Sequence, residues 1–68
     1  MKEKLKRLRK LAGVSQSVVA NAIGVTLSAY SNYEQGIREP SLAIFKNICL
    51  YYGVSANYLL DIDEQDIR

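Results

Sequence analysis

Residues able to do covalent or metal chemistry are scarce in this chain of 68 residues, which has no His and a single Cys, at position 49. An enzyme needs a nucleophile or an acid–base pair held in a pocket, and four of the seven carboxylates lie in the last eight residues. A disulfide or a zinc site needs partners that Cys49 lacks within one chain. Catalysis, a bound metal and a cofactor are therefore not expected. What remains is recognition through hydrogen bonds, charge and stacking. The stretch GVTLSAYSNYEQG, from Gly24 to Gly36, has small polar side chains at its front and Tyr30 and Tyr33 behind them. The rings could grip unpaired bases, and the hydroxyls and amides could hydrogen-bond an edge.

Charge points to a partner. Residues 1–46 hold eight Lys and Arg against three Glu, whereas residues 47–68 hold one Arg against four acidic residues. A basic body with an acidic end suits a polyanion on one side, although KEKLKRLRK could equally be a solvated helix face. No run of 18 apolar residues exists, and the start MKEKLKRLRK lacks the apolar core of a signal peptide, so a cytoplasmic location is expected. One domain fits this length. Chains below roughly 70–80 residues usually need a staple; with disulfide and metal removed, oligomerisation is left.

The elements that must position these residues are punctuated by glycine. GVS at 13–15, GVT at 24–26 and GVS at 53–55 each place Gly, an apolar residue and a hydroxyl in a row; Gly36 opens a longer loop, GIREP, before Ser41. Gly past a helix end supplies a left-handed cap, the apolar residue packs back on the last turn, and Ser or Thr caps the next helix. Between these marks the apolar spacing is helical. It predicts helices at about 2–12 (face Leu5, Leu8, Leu11, Ala12), 16–23 (Val19, Ala20, Ile23), 27–35 (Ala29, Tyr30, Tyr33), 42–52 (Leu42, Phe45, Ile48, Cys49, Tyr52) and 56–60. The fold class is all-α, with five short helices. The second and third, joined only by Gly24, Val25 and Thr26, have the spacing of a helix-turn-helix.

The residue string from Leu5 to Leu60 resembles the phage repressor/Cro-type helix-turn-helix family, also called XRE. Leu8-Arg9, GVSQ, the spacing from Ala20 to Gly24, GVT, YSNYEQG, EPSL and YYGVSANYLL carry the resemblance. It implies a compact lambda-repressor-like DNA-binding domain over 1–60, followed by a short acidic tail, 61–68, expected to fray. By that resemblance Thr26, Leu27, Ser28 and Asn32 match base-facing positions. Thr26 competes as N-cap, Leu27 could touch a thymine methyl, and Asn32 could pair with adenine. Gln16 matches a glutamine that reaches a phosphate and braces the recognition helix; Arg38 matches a phosphate contact, with Ser15, Ser17 and Lys46 as weaker candidates. Arg9 and Glu34 match a pair that ties the first helix to the end of the third. Tyr30 and Tyr33 fall where the family holds Ile or Leu, which makes them core. Val18 stands where a Glu often completes a capping box, and Val18 and Ala22 on the outer side of the second helix are unexplained.

The expected function is sequence-specific binding of double-stranded DNA by a transcriptional regulator, a repressor acting by occupancy. It would bind as a homodimer on a pseudo-palindrome, cytoplasmic and nucleoid-associated. Leu50, Tyr51, Tyr58, Leu60 and Ile62 exceed what the core requires and form the expected dimer surface. Two rival readings stand beside this one. The basic N-terminal helix could serve an anionic membrane or a partner protein, with Leu5, Leu8 and Leu11 facing outward. Alternatively, the same fold could be an antitoxin subunit covered by a toxin.

Overall fold

Each helix boundary is closed by residues a few positions apart. In the computed structural model, which describes residues 1–62, the helices are α1 (Lys2–Ala12), α2 (Gln16–Ile23), α3 (Leu27–Gln35), α4 (Leu42–Tyr52) and α5 (Ala56–Leu59). No strand occurs among the described residues. Gly13, Gly24, Gly36 and Gly53 follow the first four helices in the left-handed region. The next N–H then reaches back to the helix: Val14 to Arg9, Val25 to Ala20, Ile37 to Asn32 and Val54 to Cys49, at 3.0–3.4 Å. Ser15, Thr26, Ser41 and Ser55 open the following helices, accepting the N–H of Val18, Ala29, Ile44 and Tyr58 at 3.1–3.3 Å. Each such cap contributes about 1 kcal/mol. The boundaries expected from GVS and GVT are therefore observed; only α5 ends one residue early, with Leu60 as its cap.

The conformation is obligatory where the turn is tightest. Gly24 has φ 85° in a link of three residues, and a β-branched or bulky residue there would strain the αL position. At Gly36, φ 77°, an added Cβ would also lie 2.8 Å from the Lys2 Cδ.

The core is built from one face of each helix: Leu5 of α1, Val19, Ala20 and Ile23 of α2, Ala29, Tyr30 and Tyr33 of α3, Ile48 of α4 and Leu59 of α5. α3 packs against α1 and α2, while α4 packs on α2 and α5. Tyr30 is wholly buried and Tyr33 is 5% exposed; their rings meet edge to face, 6.3 Å apart. Both tyrosines are therefore core, as expected. Cys49 is half-buried against the same cluster, and burial pushes its thiol pKa up.

Three expectations from periodicity fail. Leu11 and Leu42 are 78% and 86% exposed, and Ala12 is exposed too. Periodicity identifies the face of a helix but not how far its neighbour extends. Ile37, in the longer loop after Gly36, is also exposed.

The start of the acidic tail is tied down rather than frayed. Asp61 takes a left-handed φ of 58°, which Asp tolerates better than most residues. Its carboxylate meets the Lys4 Nζ at 2.6 Å and the Met1 amine at 3.4 Å. Lys4 also donates to the Tyr58 carbonyl at 2.7 Å and lies 4.3 Å from the Tyr58 ring centre, so α1 holds the end of α5. These cations lower the Asp61 pKa, the Lys4 bond most of all. Residues 63–68, the rest of the expected frayed tail, lie outside the described residues.

Candidate nucleic-acid interface

The site begins with the short turn after Ile23. Gly24, Val25 and Thr26 swing α3 across α2, and Ala20, 2% exposed, lets the two helices approach closely. With Ala29, Tyr30 and Tyr33 committed inward, α3 turns its other side to solvent. Leu27 is 49% exposed, Thr26 and Ser28 are exposed and Asn32 is half-buried. The four expected base-facing residues therefore share the outward side of α3 and the turn before it. Thr26 accepts the Ala29 N–H at 3.1 Å, so its oxygen is first a cap.

Two further residues belong to this side. Gln35 is exposed and donates through Nε2 to Ser31 Oγ at 2.9 Å. They lie seven and three residues beyond Ser28, a helical spacing that could have revealed them in the sequence.

Glu34 fixes the angle of α3. It is the one buried charged residue among those described, and its carboxylate is fully engaged. Oε2 accepts the Arg9 Nε at 2.7 Å, while Oε1 accepts Arg9 Nη2 and Gln16 Nε2, both at 3.1 Å. The Tyr30 hydroxyl, one turn earlier on α3, pairs with that of Tyr52 at 2.8 Å. Burial raises the Glu34 pKa, but the bonds from Arg9 and Gln16 and the nearby Tyr30 hydroxyl together hold it below its ordinary value. The bond to Glu34 in turn raises that of Arg9. Arg9 also donates to the Val14 carbonyl at 3.3 Å, so one guanidinium joins α1, the α1–α2 turn and α3. The expected Arg9–Glu34 pair is present.

The phosphate candidates divide into two groups. Ser15 and Ser17 are exposed at the start of α2, beside half-buried Gln16; helix starts offer free N–H groups and a positive dipole end that suit a phosphate. Gln16 also brings this end of α2 to the last turn of α3, and exposed Arg38 follows that turn, with its N–H 3.4 Å from the Asn32 carbonyl. Lys46 is exposed but stands apart. Its neighbour Asn47 donates to the Ile23 carbonyl at 3.2 Å, so Lys46 belongs to the far end of α2, about 12 Å along its axis. Val18, 49% exposed, and Ala22 face solvent, and nothing in the structure explains them.

The five expected dimer-surface residues are all exposed, from 36% at Tyr58 to 69% at Leu50. Tyr51 lies edge-on to Tyr52 and, with Leu8 and Leu11, lines a groove at the end of α1. Tyr58 is held by Lys4 at the start of the same helix. Of the three leucines that the rival membrane reading turns outward, Leu5 is wholly buried, Leu8 half-buried and only Leu11 exposed. Among the described residues no helix is long and apolar enough to cross a membrane.

Comparisons with known proteins agree with this geometry. The family model described as helix-turn-helix matches residues 5–59. The uncharacterized HTH-type transcriptional regulator YqaE of Bacillus subtilis (strain 168) is 41% identical over 58 residues, covering 85% of this chain and 50% of that protein. The cryptic phage CTXphi transcriptional repressor RstR of Vibrio cholerae is 34% identical over 64 residues, 94% of this chain and 58% of that one. The uncharacterized HTH-type transcriptional regulator YgzD of Bacillus subtilis (strain 168) is 30% identical over 66 residues, 97% of this chain and 100% of its own. The chain thus spans about half the length of YqaE and 58% of that of RstR. No solved structure matches it significantly. From the turn of Gly24 to Thr26, the clamp of Arg9 on Glu34 and these matches, the chain belongs to the phage repressor/Cro-type helix-turn-helix family, a family of transcription regulators and not of enzymes.

Proposed function

We propose that this chain is a transcription regulator that binds double-stranded DNA in a sequence-specific manner, with α3 in the major groove. The observation that carries this reading is the outward side of α3, free of packing duties and held at a fixed angle by the Arg9–Glu34 clamp. Leu27 meets a thymine methyl and Asn32 pairs with an adenine edge, while Ser28 adds a shorter polar contact. Thr26 contributes mainly as cap. Ser15, Gln16, Ser17 and Arg38 take phosphates on one side and Lys46 takes one on the other. Repression by occupancy is the regulatory mode of this reading, and the relative RstR is described as a repressor. Binding to DNA places the protein in the cytoplasm, on the nucleoid.

Selection from a pool of random duplexes in 150 mM salt tests this directly. The expected product is a pseudo-palindrome with half-site centres about 10 bp apart or a multiple of that spacing; a pool that enriches no sequence would overturn the proposal.

The same reading makes the protein a homodimer. Leu50, Tyr51, Tyr58, Leu60 and Ile62 supply the apolar surface, and exposed Leu11, beside Tyr51 in the groove at the end of α1, extends it. Sedimentation at tens of micromolar protein, without DNA, is expected to show dimer. A clean monomer at that concentration would remove this surface as the dimer contact.

A further inference from the structure

We propose that the hollow between the start of α1 and the end of α3 is a further site for a DNA-backbone phosphate, in which Lys2 supplies the charge while Tyr33 and the first N–H groups of α1 supply hydrogen bonds. The proposal rests on the DNA-binding reading above and adds to it a contact made by α1.

The hollow measures about 300 Å³, and Lys2, Tyr33, Gly36 and Arg38 line it. Gly36 makes room for the lysine. At its left-handed turn an added Cβ would lie 2.8 Å from the Lys2 Cδ and 3.7 Å from both Cε and Nζ. The Lys2 stem therefore lies across the end of α3 and brings its ammonium to the hollow that Arg38 also lines. Neither cation is spent on an ion pair among the described residues, where the pairs are those of Met1, Lys4 and Arg9.

Two independent features bring hydrogen-bond donors to the same space. Tyr33 is 5% exposed. The tyrosine hydroxyls hydrogen-bonded to protein among the described residues are those of Tyr30 and Tyr52, so that of Tyr33 has no partner there. No buried polar side-chain atom among them is sealed off without a partner; the Tyr33 hydroxyl thus opens to the surface, where Tyr33 lines the hollow. The second feature is the start of α1. The Ser and Thr side chains that cap α2 to α5 have no counterpart at Met1, and the Leu5 N–H is the first to reach an acceptor, the Met1 carbonyl at 3.0 Å. The N–H groups of Lys2, Glu3 and Lys4 are left unmet, at the positive end of a helix of 11 residues. A phosphate oxygen answers both needs.

Charge decides which phosphate. Glu3 and Glu39 also line the hollow, so its two cations face two carboxylates. A free anion gains little net attraction there and meets the full cost of association, whereas a phosphate of a duplex already held by α3 does not. The occupant is therefore the backbone of the bound DNA, at a phosphate neighbouring that of Arg38.

Fluorescence anisotropy with a duplex of about 24 bp and mixed sequence, between about 50 and 200 mM salt, tests the site. Lys2→Met, which keeps the stem over Gly36, should make the salt slope shallower by about two for a dimer, as Arg38→Ala does, and Lys2→Arg should restore it. Lys10→Met, at the other end of the same helix, should leave the slope unchanged. Tyr33→Phe removes a neutral donor and should weaken binding by about three- to tenfold per subunit without altering the slope. The backbone amide resonances of Lys2, Glu3 and Lys4 should move on addition of the duplex and stay in place with inorganic phosphate at about 1 mM. Saturation of those resonances by inorganic phosphate at that concentration would make the hollow a free-anion site and overturn the proposal. So would a Tyr33→Phe protein that binds as well as the parent, or a Lys10→Met slope that falls as far as that of Lys2→Met. A Lys2→Met protein with lower Tm and affinity but an unchanged slope would reduce Lys2 to a cation at the negative end of α3 and overturn it too. Failure of the parent chain to bind the duplex, or a slope untouched by Arg38→Ala, would instead strike the DNA-binding reading on which the proposal rests.

Discussion

Arg9→Met will destabilise this domain more than Arg9→Met combined with Glu34→Leu. In the single variant Glu34, 0% exposed, keeps its charge in the core with only the Gln16 amide to answer it. Breaking a buried pair by removing one partner costs about 3–5 kcal/mol; Arg9 is 19% exposed in its side chain, which puts the cost near about 3 kcal/mol. A domain of this length has about 3–10 kcal/mol in all, so Tm should fall by roughly 15 °C. In the double variant the buried charge is gone and apolar groups fill the space, and the loss should shrink to about 1 kcal/mol, as replacement of buried pairs often does. Thermal melts followed by circular dichroism would decide it. A double variant at least as unstable as the single would show that the pair itself, and not the stranded carboxylate, carries the stability.

The same carboxylate sets an acid limit. Its pKa in the folded chain lies below the ordinary 4.5, so the pairing stabilises fully above that value and is lost as pH falls through the folded pKa. The Tm of the parent chain should therefore drop between about pH 5 and pH 3, and the double variant should show a flatter curve. The pKa of Asp61 is lowered in the same direction, but its ion pairs stand in solvent and are worth little.

Affinity for DNA will fall about a thousandfold between 50 and 200 mM salt. If each subunit of a dimer neutralises about three phosphates, the slope of log affinity against log salt is near −0.9 times six, roughly −5. The exposed cations support such a number: Arg38 shares a surface hollow with Lys2 at the end of α3, and Lys46 lies at the other end of α2. Arg38→Ala in both subunits should make the slope shallower by about two. Fluorescence anisotropy with a selected duplex at four salt concentrations measures both. A flat dependence would mean that neither Arg38 nor Lys46 meets a phosphate.

What could be read from the sequence was whatever is decided within about six residues. Gly24, Val25 and Thr26 settle the turn among themselves, and the caps at Ser15, Ser41 and Ser55 need only the N–H three residues on. All five helices were legible for that reason. Tyr30 and Tyr33 could be assigned to the core because the resemblance puts Ile or Leu at those positions, at the spacing of one helix face. Leu11 and Leu42 could not be placed, since their burial depends on where a distant helix stops. The Gln16–Glu34 bond spans 18 residues and the Tyr30–Tyr52 bond 22, and no local pattern marks either. The resemblance supplied Arg9 and Glu34 as a pair; only the structure shows that Gln16 of α2 donates to the same carboxylate.

The self-contained helix boundaries also bear on time. A domain whose helices start and stop by neighbouring residues has little loop entropy to overcome, and helical proteins of this kind fold in about microseconds to milliseconds. Once locally opened, such a chain recovers faster than most encounters with a partner. Its slowest step should be the meeting of Arg9 with Glu34, 25 residues away, so that the recognition helix takes its angle last.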